Sequence, residues 1–99
     1  MTVRPDLLAI DHPSALAVDR GVYRALGALG LAVELAVPER LPHLPGLPPC
    51  EPAEPGDPPL HRLAFRGRNL RYLRIEGLEA LLERRRPRAV HLNNEPDTP

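Results

Sequence analysis

Residues 7–38 decide how this chain folds. The run Leu7-Leu8-Ala9-Ile10 is apolar without interruption, bounded by Pro5 on one side and Asp11-His12-Pro13 on the other. A short run with no polar alternation reads as a strand buried on both faces, the habit of a parallel sheet. Val18, Val22, Leu26 and Leu29 then recur at spacings of four, four and three, which is one apolar stripe of a helix. Ser14 is placed to cap that helix. Gly30 follows it, where a left-handed residue commonly ends a helix. Ala32-Val33-Glu34-Leu35-Ala36-Val37 is a second apolar run, rich in β-formers and stopped by Pro38. Strand, helix and strand with short joins predict a βαβ unit with a right-handed crossover.

Outward from this unit the pattern repeats once. Residues 38–59 hold nine of the fourteen prolines, and proline both removes a backbone donor and disfavours helix in the residue before it. That stretch reads as a long, loosely ordered loop. Leu60 to Phe65 is a third strand. Leu70, Leu73, Gly77, Leu78, Leu81 and Leu82 share one helical face, with Asn69 as its cap and Arg84-Arg85-Arg86 in its last turn, where cations oppose the helix dipole. Pro87 stops this helix, and Ala89-Val90-His91-Leu92 is a fourth strand. The order β-α-β-loop-β-α-β predicts an α/β fold: a Rossmann-like parallel sheet with flanking helices. No further helix is read after the fourth strand, so its exposed side is expected to be covered by something else. Residues 1–99 are accordingly expected to be a partial N-terminal domain.

Composition narrows the function classes. Formal net charge is zero, which argues against a general polyanion binder. Charge is uneven all the same: residues 60–88 carry nine Arg against three Glu, whereas residues 1–59 carry four Arg against eight acids. Lys is absent throughout, so the uniform use of Arg reads as compositional bias. The stacking aromatics of a nucleic-acid surface are missing apart from Phe65 and Tyr72, and the Arg-rich helix face reads as solvated. Cys50 is the single cysteine, which excludes an intrachain disulfide and a multi-cysteine metal site; a free thiol fits a cytoplasmic location. No apolar run approaches the ~20 residues that span a bilayer.

Ligands of open parallel α/β sheets bind outside the carboxyl ends of the strands. Three segments qualify: Asp11-His12-Pro13-Ser14, Glu39, and Asn93-Asn94-Glu95. Asp11 and Glu95 are expected to face each other across the crevice between the first and fourth strands, able to hold hydroxyls or to act as a base. His12 is a candidate proton acceptor or phosphate contact. His91 reads as a hydrogen-bonded core residue and His43 as a solvated one. The sequence contains no G-x-G-x-x-G, no G-x-x-x-x-G-K-[ST], no G-x-S-x-G and no metal-ligand spacing. No metal and no cofactor is therefore expected.

Several segments together resemble the start of family-4-like glycosyltransferases of the GT-B architecture. They are Leu7-Leu8-Ala9-Ile10-Asp11-His12-Pro13-Ser14, Asp19-Arg20 opening a helix, Val33-Glu34-Leu35-Ala36-Val37-Pro38-Glu39, and Arg84-Arg85-Arg86-Pro87-Arg88-Ala89-Val90-His91-Leu92. Asn94-Glu95-Pro96 is similar to the family's acidic turn, while Arg88 stands where that family usually has Asp. The resemblance implies two Rossmann-like domains around a cleft, the N-terminal one binding the acceptor. The donor-binding domain with its Glu-x7-Glu motif lies outside these residues. It implies transfer of a sugar from a nucleotide-sugar donor to a carbohydrate or lipid-linked acceptor, with retention and without a bound metal. Peripheral membrane contact by the full-length protein and no nucleic-acid partner are further expectations. On this reading Glu95 orients an acceptor hydroxyl or serves as base, and Asp11, His12, Ser14 and Asn94 bind substrate; residues 1–99 alone are inactive. Two alternatives stay open: a small non-catalytic partner-binding α/β module, receiver-like folds being disfavoured by the single Asp11, and another nucleotide-sugar enzyme such as an epimerase.

Overall fold

The computed structural model describes residues 4–40, 49–66 and 74–93. Five strands, β1 (Leu7–Asp11), β2 (Val33–Pro38), β3 (Leu60–Arg66), β4 (Arg74–Glu76) and β5 (Ala89–Asn93), form one sheet in the order β4-β3-β2-β1-β5. β1 pairs in parallel with β2 and with β5, and β2 pairs in parallel with β3. Only β4 runs against its neighbour β3. The α/β class and the parallel alignment of the runs near positions 8, 35 and 91 thus stand as the apolar patterning predicts.

Period-two alternation sends β1 and β2 side chains to both faces, and each face carries one helix. α1 (Gly21–Ala28) covers the first face, where Ala9, Val33, Leu35 and Val37 pack with Tyr23. α2 (Leu78–Arg85) covers the second, where Leu8, Ile10, Ala36 and Phe65 pack with Leu81. Strands buried on two sides need no polar alternation, and β2 is buried at all six positions. α1 ends as its sequence requires. Gly30 sits at φ 98°, its N–H donating to the Gly27 carbonyl and the Leu31 N–H to the Leu26 carbonyl. These two bonds are the Schellman pattern, and a φ that positive favours glycine.

Three expectations are corrected. The stripe Val18–Val22–Leu26–Leu29 is not the buried face: Val18 and Leu29 are each 80% exposed. Val18 lies in a 3-10 turn (Ala17–Arg20) ahead of α1, and the short α1 is phased to turn Tyr23 inward. Ser14 does not cap α1, whose N-cap position is Arg20; it lies in an earlier 3-10 turn (His12–Ala15) and bonds Asp11 instead. The second helix begins only at Leu78, because residues 74–76 extend antiparallel to β3 and Gly77, at φ 84°, turns the chain between them. The predicted cap Asn69 and the first turn around Leu70 and Leu73 lie outside the described residues.

Candidate rim site

The strand order reverses direction at β1. From β1 the chain builds outward through β2 and β3, then returns to place β5 on the other side of β1. In open α/β sheets ligands bind outside the carboxyl ends of the strands at such a reversal. Here those ends are Asp11 and Asn93, which are register partners. Sequence reasoning places its candidate residues at this rim.

The loop leaving β1 is built around a buried carboxylate. Asp11 is 3% exposed; Ser14 Oγ donates to its Oδ2 at 2.8 Å, and the Tyr23 hydroxyl bonds it as well. Burial, then the adjacent Asp11 carboxylate, push the Tyr23 phenol far above its ordinary value, so it stays protonated and donates. Asp11 and Ser14 therefore spend their side chains on each other and on Tyr23, fixing the two tight turns after β1. Ser14 and Ala15 are themselves fully buried, so the loop presents neither of them at the rim. Of the five residues expected at the site, Asp11 and Ser14 are brought together and the His12 backbone lies between them. The His12 side chain and both Asn94 and Glu95 lie outside what the structure describes. Glu39 at the end of β2 is exposed, and its carbonyl accepts from the Cys50 N–H. His91 is a correction. It sits in β5 as expected, but exposed, since no helix covers β5 on that face among the described residues.

Arg20 is the residue that sequence reasoning missed. It is fully buried, and its five N–H donors meet five oxygens. Nε donates to the Ser14 carbonyl, Nη1 to the Pro52 carbonyl and Asp57 Oδ2, and Nη2 to the carbonyls of Ala15 and Glu51. Two of these acceptors belong to the rim loop and three to the proline-rich connection. That connection is thus tied down over residues 49–59, contrary to the expectation of a loose loop. Further ties are Ala17 N–H to Glu51 Oε1 at 2.7 Å, Glu51 N–H to the Ala15 carbonyl at 2.8 Å, and Arg24 Nη1 to Asp57 Oδ1 at 2.9 Å. Burial would raise the Asp57 carboxyl, but the Glu54 N–H, Arg20 and Arg24 together hold it below the usual aspartate range. The clue lay in the prolines. Five of the eleven residues from Pro49 to Pro59 lack an N–H, so the segment has more acceptors than donors and needs a donor-rich partner.

Two other features lie away from the rim. Glu34, on the α2 face of β2, accepts from His61 Nε2 at 2.7 Å and from both Nε and Nη2 of Arg85, fastening the last turn of α2 to the sheet. Burial would raise its carboxyl, but Arg85 and then His61 outweigh this and hold it below the usual glutamate range. A groove of 350 Å³, lined by Gly27, Leu31, Val33, Asp57, Pro58 and Pro59, opens at the amino-terminal end of β2, opposite the rim. Among the described residues no group of three or more His, Cys, Asp or Glu could hold a metal ion, and no helix is long and apolar enough to cross a membrane. Comparisons with protein-family models, with curated proteins and with solved structures return no match to this chain.

Proposed function

We propose that the rim between β1 and β5 is the ligand site of this chain, and that the protein is a glycosyltransferase whose acceptor-side domain begins here. The observation that carries the reading is the reversal of strand order at β1, which sets the ends of two parallel strands, Asp11 and Asn93, side by side. The sequence resemblance of residues 7–14, 33–39 and 84–92 to family-4-like enzymes supplies the reaction class. In this reading the Asp11–Ser14–Tyr23 network holds the loop after β1 rigid, which lowers the ordering cost of binding there. His12 and Asn94 then contact the sugar, and Glu95 orients an acceptor hydroxyl or removes its proton. Donor recognition belongs to a second domain.

The test is acceptor-dependent release of nucleotide from a panel of nucleotide sugars by the protein expressed from its complete reading frame. Release that depends on Glu95 and on the His12 loop supports the proposal. Intact folded protein that releases no nucleotide with any donor and acceptor pair sinks the transferase reading. Amide shifts on titrating sugars into the 99-residue chain then report separately whether the rim binds. One observation favours a second reading, a partner-binding module: Val90 and Leu92 are 50% and 59% exposed on β5.

A further inference from the structure

We propose that the groove at the amino-terminal end of β2 binds a short extended peptide segment through the backbone of Val33. This goes beyond the rim site, which lies at the other end of the sheet, and does not depend on it. β2 starts at Val33, but its pairing with β3 starts only at Leu35, opposite Leu60. Val33 and Glu34 thus run past the end of their neighbour strand, beside Asp57, Pro58 and Pro59, and this gap in the sheet forms the groove. Alternate residues of a strand bond to alternate neighbours. On the β1 side the Ala32 carbonyl accepts from the Leu7 N–H; on the β3 side the Leu35 N–H donates to the Pro59 carbonyl. Val33 is in phase with Leu35, so its N–H and C=O both aim into the gap. The parallel ladder would bring residue 59 as donor to that carbonyl, and proline has no N–H. Neither backbone group of Val33 has a hydrogen-bond partner among the described residues. Val33 is 5% exposed, and buried backbone groups normally find a partner.

The chemistry of the groove selects the ligand. A donor and an acceptor on one side of a single residue are what two antiparallel residues exchange in a hydrogen-bonded pair. A peptide residue returns both bonds in fixed geometry, as when an extended peptide adds to an open sheet. Charge selects a neutral ligand. Asp57 is engaged by Arg20 and Arg24, and Glu34 by Arg85, so both carboxylates that line the groove are already neutralised. Leu31, 43% exposed, and the rings of Pro58 and Pro59 supply apolar walls for an aliphatic side chain. At 350 Å³ the groove falls within the range of about 300–1,000 Å³ typical of small-ligand sites. That is room for a residue with its two flanking peptide groups.

Titration of N-acetyl-leucine methylamide into the isotope-labelled chain, followed by amide shifts, tests this. The expected result is a saturable shift at Leu31, Val33, Gly56 and Asp57, with the Val33 N–H moving downfield as it gains an acceptor. N-acetyl-N-methyl-leucine methylamide lacks the donor to the Val33 carbonyl and is expected to bind about tenfold more weakly. Pro59→Ala, at an exposed position, gives the ladder its own donor to that carbonyl. It is expected to weaken the probe by about the same factor and to protect the new amide from hydrogen exchange. No saturable shift at the probe's solubility limit overturns the proposal, as does an N-methyl probe that binds as tightly as its parent. A folded Pro59→Ala variant that binds the probe like wild type overturns the pairing with Val33.

Discussion

Replacing Arg20 by alanine removes at one stroke the five N–H donors that join the rim loop to the proline-rich connection. Both side chains of the Arg20–Asp57 pair are fully buried, and breaking such a pair costs about 3–5 kcal/mol. The four carbonyls stranded with it add to that wherever water cannot reach them. Domains of this size are stable by only about 5–15 kcal/mol, and the smallest sit low in that range. Since 1 kcal/mol moves the melting temperature of such a domain by about 4–8 °C, Arg20→Ala is expected to lower Tm by about 12 °C or more. Arg20→Lys should recover only part of the loss, because an ammonium has three donors and no planar fork. Thermal melts followed by circular dichroism measure this, and hydrogen exchange at residues 50–57 locates it. A drop of under about 4 °C for the alanine variant, equivalent to 1 kcal/mol, would refute the claim that Arg20 ties these segments together.

Other perturbations follow from the same contacts. Leu81→Ala, at a position 1% exposed between α2 and the sheet, should cost about 2–5 kcal/mol in urea unfolding, whereas Val18→Ser should stay within about 0.5 kcal/mol. Glu34 has a folded pKa below its ordinary 4.5, so its contribution to stability is complete above that value and drains away as pH falls further; Glu34→Gln should flatten the acid limb of the Tm–pH curve. The Tyr23 phenol is raised instead, so its contribution holds below about pH 10 and is lost on going more alkaline. Tyr23→Phe should cost about 1 kcal/mol at neutral pH and soften the alkaline decline.

Where apolar residues are buried on both sides, the sequence was enough: Leu7–Ile10 and Val33–Val37 announce strands because nothing polar interrupts them except Glu34, whereas Ala89–Leu92, interrupted by His91, is a strand exposed on both faces. Periodicity misled where exposed valines and leucines outnumbered the residue that sets the helix phase; Tyr23, with half-buried Leu26 beside it, turns inward while Val18, Val22 and Leu29 face water. Gly77 carries a turn that helical spacing cannot see, since Leu73, Gly77 and Leu81 keep the period straight through it. The rim was legible in outline from strand ends, but not the use of its side chains. Asp11 looked like a ligand contact and instead serves Ser14 and Tyr23. Arg20 was hard to see because four of its five oxygen partners are backbone carbonyls, which every residue possesses.

The pairing of Leu7 with Ala89 and of Asp11 with Asn93 has a consequence for how the protein is made. β1 lies inside the sheet between β2 and the edge strand β5, yet β5 is synthesised some eighty residues after it. During that interval Leu8 and Ile10 wait beside a vacant edge, and α2, which shields them, is also still to come. Contacts so distant in sequence form slowly, and nascent chains with bare apolar strands are prone to aggregate. Conditions that slow elongation between β2 and β5 should thus lower the yield of folded protein while leaving the finished molecule's stability unchanged.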